Sequence, residues 1–168
     1  FVNRLLTEKR ISKKEVSTQV LNSLLEKDLV TIEKENVYRI NPNVNKTEEK
    51  ILTDEQTKAM EEVKNSFDIF NVFLLHGITG SGKTEVYIKL VSEVLKNGKT
   101  VIMLVPEITL TTQIVKRFYE CFGDNVAIFH SGLSDGEKAD EYNKILRDEA
   151  KIVVGTRSSI FVPLQNIG

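Results

Sequence analysis

The stretch that decides the fold reads Val72-Phe73-Leu74-Leu75-His76-Gly77-Ile78-Thr79-Gly80-Ser81-Gly82-Lys83-Thr84-Glu85-Val86-Tyr87. A short apolar run, Val72 to Leu75, predicts a buried strand, and Glu85 to Lys96 predicts a helix stopped by Asn97-Gly98. Between them, Gly77 to Thr84 fits G-x-x-x-x-G-K-[ST] without a mismatch, in the strand–loop–helix setting this pattern requires. Each residue type has a physical task. Gly77, Gly80 and Gly82 let the backbone turn its N–H groups inward as an anion nest at a helix start, with Ile78, Thr79 and Ser81 completing the cradle. Lys83 would reach the β- and γ-phosphates, and Thr84 would offer its hydroxyl to Mg²⁺, a hard cation that favours oxygen ligands. A glycine-rich turn that binds nothing is the plain alternative. The full pattern in its proper context favours a nucleoside triphosphate.

Outward from the loop, strands and helices alternate. Thr100 to Val105, Val126 to Phe129 and Ile152 to Val154 are short apolar strands, while Leu110 to Phe122 and Gly136 to Arg147 have helical periodicity. That alternation predicts an α/β fold with a parallel sheet covered on both faces. Upstream, Leu52-Thr53-Asp54-Glu55-Gln56 reads as a capped helix start, and Gln56 could hydrogen-bond an adenine edge or stand as a plain surface residue. Two further loops leave strand ends at the carboxyl edge, where open α/β sheets bind ligands: Pro106 to Gln113 and Gly155-Thr156-Arg157-Ser158-Ser159. Their hydroxyls, amides and one cation suit a nucleic-acid backbone, or equally ordinary helix caps.

The first 40 residues form a separate pattern. Val16, Val20, Leu21, Leu24 and Leu25 fall at helical spacing behind the candidate caps Ser17 and Thr18, with Leu5, Leu6 and Ile11 completing a core. Leu29 to Ile32 and Val37 to Ile40, joined by Glu35-Asn36, read as a hairpin. Helix then hairpin is a winged-helix order, which places Thr18, Gln19, Asn22 and Ser23 outward as candidate DNA contacts. A spacer or protein-docking role is equally compatible. The polar stretch Asn41 to Lys50 has linker composition. The expected division is a winged helix over 1–41, a linker over 42–51 and a nucleotide-binding lobe over 52–168.

Composition narrows the classes. With 168 residues, 40% apolar and 28% charged, the chain can form a packed core, and a net charge of −1 excludes a histone-like basic binder. The lone Cys121 excludes a disulfide framework or a Cys-rich zinc site within these residues, and reads as a small core residue. No apolar run approaches the roughly 20 residues that cross a bilayer. His76 reads as packed or capping, His130 as a loop marker, and Glu61-Glu62 and Asp140-Glu141 as solvated helix faces. Neither terminus resembles a natural chain end, so a longer protein is expected.

Gly77 to Tyr87, Pro106 to Gln113, Phe129-His130-Ser131-Gly132-Leu133-Ser134 and Gly155 to Phe161 occur in one order. In that order the chain resembles the primosomal protein N′ (PriA) family, the replication-restart helicases of superfamily 2. The resemblance implies a RecA-like P-loop lobe, incomplete here, in a 3′→5′ ATP-dependent DNA helicase that rebuilds the primosome at stalled forks. It implies that Gln56, Gly82, Lys83 and Thr84 serve ATP and Mg²⁺. It further implies that Pro106, Glu107, Thr109, Gln113, Gly155, Thr156 and Arg157 touch DNA, with Arg157 as the phosphate contact. The expected partners are branched or single-stranded DNA, helicase-loading proteins and single-stranded-DNA-binding protein, in a cytoplasmic, nucleoid-associated setting without a membrane. The family's Asp-Glu-Glu-His box, second lobe and zinc module would follow Gly168. These residues alone are therefore expected not to hydrolyse ATP, and to show an exposed apolar sheet edge. A competence-type DNA-translocating ATPase, a non-enzymatic winged-helix adaptor and a small-molecule phosphotransferase are the alternatives.

Overall fold

The computed structural model describes residues 11–32, 38–40, 44–45, 47–106 and 112–168. The chain divides at Val37/Tyr38 into two units. In the first, a 3₁₀ turn over Lys13–Glu15 precedes helix α1, Thr18–Glu26. Ser17 is the N-cap of α1 in extended conformation, as expected, although its hydroxyl makes no cap hydrogen bond. Gln19 and Asn22 are exposed on α1. Leu29 to Ile32 is not a strand, which corrects the hairpin expectation; Leu29 and Ile32 are exposed. Leu5, Leu6, the Glu35-Asn36 turn and Val37 lie outside the described residues.

Among its described residues the second unit carries four further helices, α2 (Asp54–Lys64), α3 (Lys83–Lys96), α4 (Thr112–Phe122) and α5 (Asp135–Leu146). Three strands, β1 (Val101–Leu104), β2 (Val126–Phe129) and β3 (Ile152–Gly155), form a parallel sheet in the order β1-β3-β2. Val101 and Val126 both align with Ile152, and Leu104 and Phe129 both align with Gly155, so the three carboxyl ends finish level. Parallel strands need their faces covered, and period-2 alternation divides the side chains between two cores. Val126, Ile128, Ile152 and Val154 join Ile88 and Val91 of α3 and Phe118 and Tyr119 of α4 on one face. On the other, Ala127 and Val153 pack with Ile145 and Ala150. Cys121 packs beside the first core, as the sequence suggested.

The expected strand from Val72 to Leu75 is absent. Those residues have no regular secondary structure, and Val72 is 78% and Leu74 89% exposed. A parallel strand is held by ladder bonds to a neighbour, and among the described residues no strand lies beside this one. The neighbouring Ile69, Phe70 and Ile78 are exposed too. His76, read as packed or capping, is likewise exposed.

The polar stretch read as a linker is fastened down at its described residues. Ile40 and Val44 pack on the first core, the Thr47 amide donates to Glu120 O at 3.0 Å, and Glu49 pairs with Lys89 at 2.7 Å. Tyr38 and Arg39, expected in the hairpin, instead hold α5 and the turn behind it. Arg39 bonds Asp140 at 2.8 Å and Gly136 O at 3.1 Å, and the Tyr38 hydroxyl donates to Glu149. Charge and turn-former content describe a segment's solvation, not whether a groove is available to receive it.

Asp140-Glu141 is not a solvated pair. Glu141 is fully buried; its Oε2 accepts the Ile128 amide at 2.7 Å, and Lys144 Nζ lies 2.6 Å from its Oε1. Ile128 is on β2, an outer strand of the sheet, so the carboxylate occupies an edge amide that would otherwise invite pairing. Burial pushes the Glu141 carboxyl up, against the Lys144 ammonium and the Ile128 amide.

Candidate functional site

The loop from Gly77 to Gly82 opens α3 through two glycines in the left-handed region, Gly80 at φ +83° and Gly82 at φ +80°. Gly82 is the N-cap, a position where a side chain with Cβ would be strained. The amides that begin a helix have no acceptor inside it, and the helix dipole adds positive potential there. Lys83 Nζ folds over the loop, 2.6 Å from Gly77 O and 2.8 Å from Ile78 O. Two weak neutral acceptors hold this ammonium, and phosphate oxygens are stronger partners for the same donors. Thr84 is half-buried in the first turn beside it.

Helix α2 supplies the loop's outer support. Thr53 and Gln56 form a reciprocal capping box: Thr53 Oγ1 accepts from the Gln56 amide at 3.3 Å, and Gln56 Oε1 accepts from the Thr53 amide at 2.9 Å. The same side chain uses Nε2 to donate to Ser81 O at 2.9 Å. Gln56 is therefore neither a plain surface residue nor a free amide. One Nε2 hydrogen and one Oε1 lone pair still remain for a ligand edge.

The level strand ends carry the other candidates. Pro106 and Gln113 are exposed, whereas Glu107 and Thr109 lie outside the described residues. Gly155 and Thr156 are buried, leaving Arg157 exposed at the start of a 3₁₀ turn, Arg157–Phe161. This turn is tightly built. The Thr156 amide donates to Phe129 O at 3.0 Å, and the buried Ser159 hydroxyl donates to the same oxygen at 3.3 Å. Gly155 is required because a Cβ there would collide with Phe129 O and Ser159 Oγ. Only Arg157 of these three can reach a ligand by its side chain.

Sequence reasoning missed Arg117 and Glu85. Arg117 Nε and Nη2 meet Glu85 at 3.1 and 2.9 Å, and Nη1 reaches Thr47 Oγ1 at 2.6 Å. The Arg117 guanidinium holds the Glu85 carboxyl below its usual range. Nothing in their 32-residue separation signals the contact. Among the described residues no three His, Cys, Asp or Glu side chains are grouped to hold a metal, and no helix is long and apolar enough to cross a membrane.

Comparison with known proteins gives these residues a context. Replication restart protein PriA of Bacillus subtilis is 48% identical over 161 residues, covering 93% of this chain and 20% of that protein. The Synechocystis protein of the same name is 44% identical, covering 90% and 18%, and that of Chlamydia muridarum is 37% identical, covering 97% and 22%. The chain thus spans about a fifth of the length of these relatives. The UvsW helicase from bacteriophage T4 aligns with 84% of this chain and 53% of that one, at a TM-score of 0.49 and 19% identity. A family model described as type III restriction enzyme, res subunit, matches residues 49–167, from the strap beneath Arg117 to the residue before the last, and the chain belongs to that family.

Proposed function

We propose that this chain carries the nucleotide-binding portion of an ATP-dependent DNA helicase that acts in replication restart. The observation that supports this most directly is the loop itself: two left-handed glycines delivering the chain into α3, with the Lys83 ammonium held over the turn. In this reading the amides of Gly80 to Thr84 and the Lys83 ammonium grip the triphosphate, and the Thr84 hydroxyl faces the Mg²⁺ that accompanies it. Gln56 fixes Ser81 and turns its remaining donor and acceptor toward the base. Bound Mg²⁺ would neutralise charge on the phosphates; the chain's own residues orient them and exclude alternatives.

The DNA strand would track the carboxyl edge, with Arg157 as its phosphate contact and Pro106, Glu107, Thr109 and Gln113 along the first tip. Gly155 and Thr156 serve by shaping the turn beneath Arg157. The N-terminal unit would add Gln19 and Asn22 on α1 as a second DNA-facing surface. Fork structures and primosome proteins are the corresponding partners of the whole protein.

Lys83→Ala in the full-length protein tests this. ATP hydrolysis and unwinding should fall by about a hundredfold or more, with fork binding largely kept. Unchanged hydrolysis would refute the assignment and leave a non-enzymatic DNA adaptor as the better description.

A further inference from the structure

A carboxylate in the first turn of a helix ordinarily answers the positive end of the dipole. Glu85 holds that place on α3, one residue after Thr84 and two after Lys83, where a bound polyphosphate would face an unwelcome negative charge. The structure cancels it. Arg117, reaching across from α4, forks onto both oxygens of Glu85, and Lys50 lies 3.4 Å from Oε1. Both partners are well shielded, at 15% and 14% side-chain exposure, so the pair is less screened than a surface bridge. The remaining Arg117 donors go to Thr47 Oγ1 and Glu48 O, and Glu120 Oε2 lies 3.6 Å from Nη1, which fixes the guanidinium from a second side. A guanidinium bound through all three nitrogens has one orientation available, which a lysine could not reproduce.

We propose that Arg117 is a positioning residue for the nucleotide site: by neutralising Glu85 and pinning the first turn of α3, it keeps the loop's potential favourable to a triphosphate. This rests on reading Gly77 to Thr84 as that site. It predicts an asymmetry that a purely structural bridge lacks. Removing the cation leaves an anion beside the phosphates; removing the anion does not.

The test is titration of the full-length protein with a fluorescent ATP analogue in Mg²⁺, together with thermal unfolding. Arg117→Gln should weaken binding by about tenfold at low salt, with the loss shrinking as salt rises. Glu85→Gln should bind within about twofold of the unaltered protein, and the double variant should recover most of the affinity lost by Arg117→Gln. Unchanged affinity in Arg117→Gln overturns the proposal. So do equal losses in both single variants that the double does not relieve, or losses that track a lowered unfolding midpoint. Lys83→Ala is the separating control. If it abolishes binding while Arg117→Gln does not weaken it, only this inference fails; if it leaves binding intact, the site assignment itself fails.

Discussion

Replacing Gly82 with alanine should cost more than replacing Gly80, although both glycines have nearly the same backbone angle. Gly80 sits at φ +83° and Gly82 at +80°, so each alanine carries the left-handed penalty of roughly 1–2 kcal/mol. Their surroundings differ. A Cβ at Gly80 meets nothing within 4 Å, whereas one at Gly82 collides with the Gln56 amide nitrogen. Relieving that collision moves Nε2 off Ser81 O, a hydrogen bond of 2.9 Å whose loss costs about 1 kcal/mol. Gly82→Ala should therefore destabilise by roughly 2–3 kcal/mol and Gly80→Ala by roughly 1–2. Urea unfolding followed by circular dichroism measures both. In a Gln56→Ala background the collision is gone, so the cost of Gly82→Ala should fall by about 1 kcal/mol, whatever Gln56→Ala itself costs through the lost capping box. Equal costs at the two glycines, or a Gly82 cost unaltered by Gln56→Ala, would refute the clasp between α2 and the loop.

Three other outcomes follow from the packing. Glu141→Ala leaves Lys144 buried without its counter-ion and the Ile128 amide without an acceptor, and should cost about 3–5 kcal/mol in urea unfolding. Glu141→Gln should cost less, since its amide oxygen can still accept from Ile128, and equal losses would count against the edge-capping role. Gly155→Ala should cost about 1–3 kcal/mol, and Ser159→Ala should not rescue it, because Phe129 O is backbone and cannot swing away; full rescue would show the side chain to be the only obstacle. The Glu93 carboxyl, bonded first by Lys64 and then by Lys96, is lowered from 4.5 to about 2. A depressed carboxylate contributes stability above its unfolded value, so this contribution is complete above pH 4.5 and disappears as pH falls to about 2. Its cations are 46% and 70% exposed, which limits the gain to about 1 kcal/mol, and Glu93→Gln should flatten that part of an unfolding–pH profile. An unaltered acid limb would remove Glu93 from the account.

The limits of sequence reading show at particular residues. The helices α3 and α5, and β2 and β3, fall within a few residues of their expected bounds because apolar periodicity and stops such as Asn97-Gly98 are local signals. Val72 to Leu75 had an equally apolar composition, yet Val72, Phe73 and Leu74 stand exposed. Apolar content marks a segment that can be buried, and a strand forms only where another strand supplies the ladder. The same distinction separates Glu141 from Glu62. Both belong to adjacent acidic pairs, but Glu141 sits beneath β2 and is buried while Glu62 is exposed.

By itself the sequence determined the loop from Gly77 to Thr84, the alternation of short apolar runs with helical periodicity and the Thr53–Gln56 cap, because each is written in residues close together in the chain. Tertiary structure decided that Gln56 clasps Ser81, that the polar stretch before Leu52 is strapped to the lobe, and that Arg117 neutralises Glu85. Those contacts join positions 25, 70 and 32 residues apart. Ion pairs and hydrogen bonds between distant residues have no periodicity to betray them; they arise only once the packed core has set the distance between their backbones.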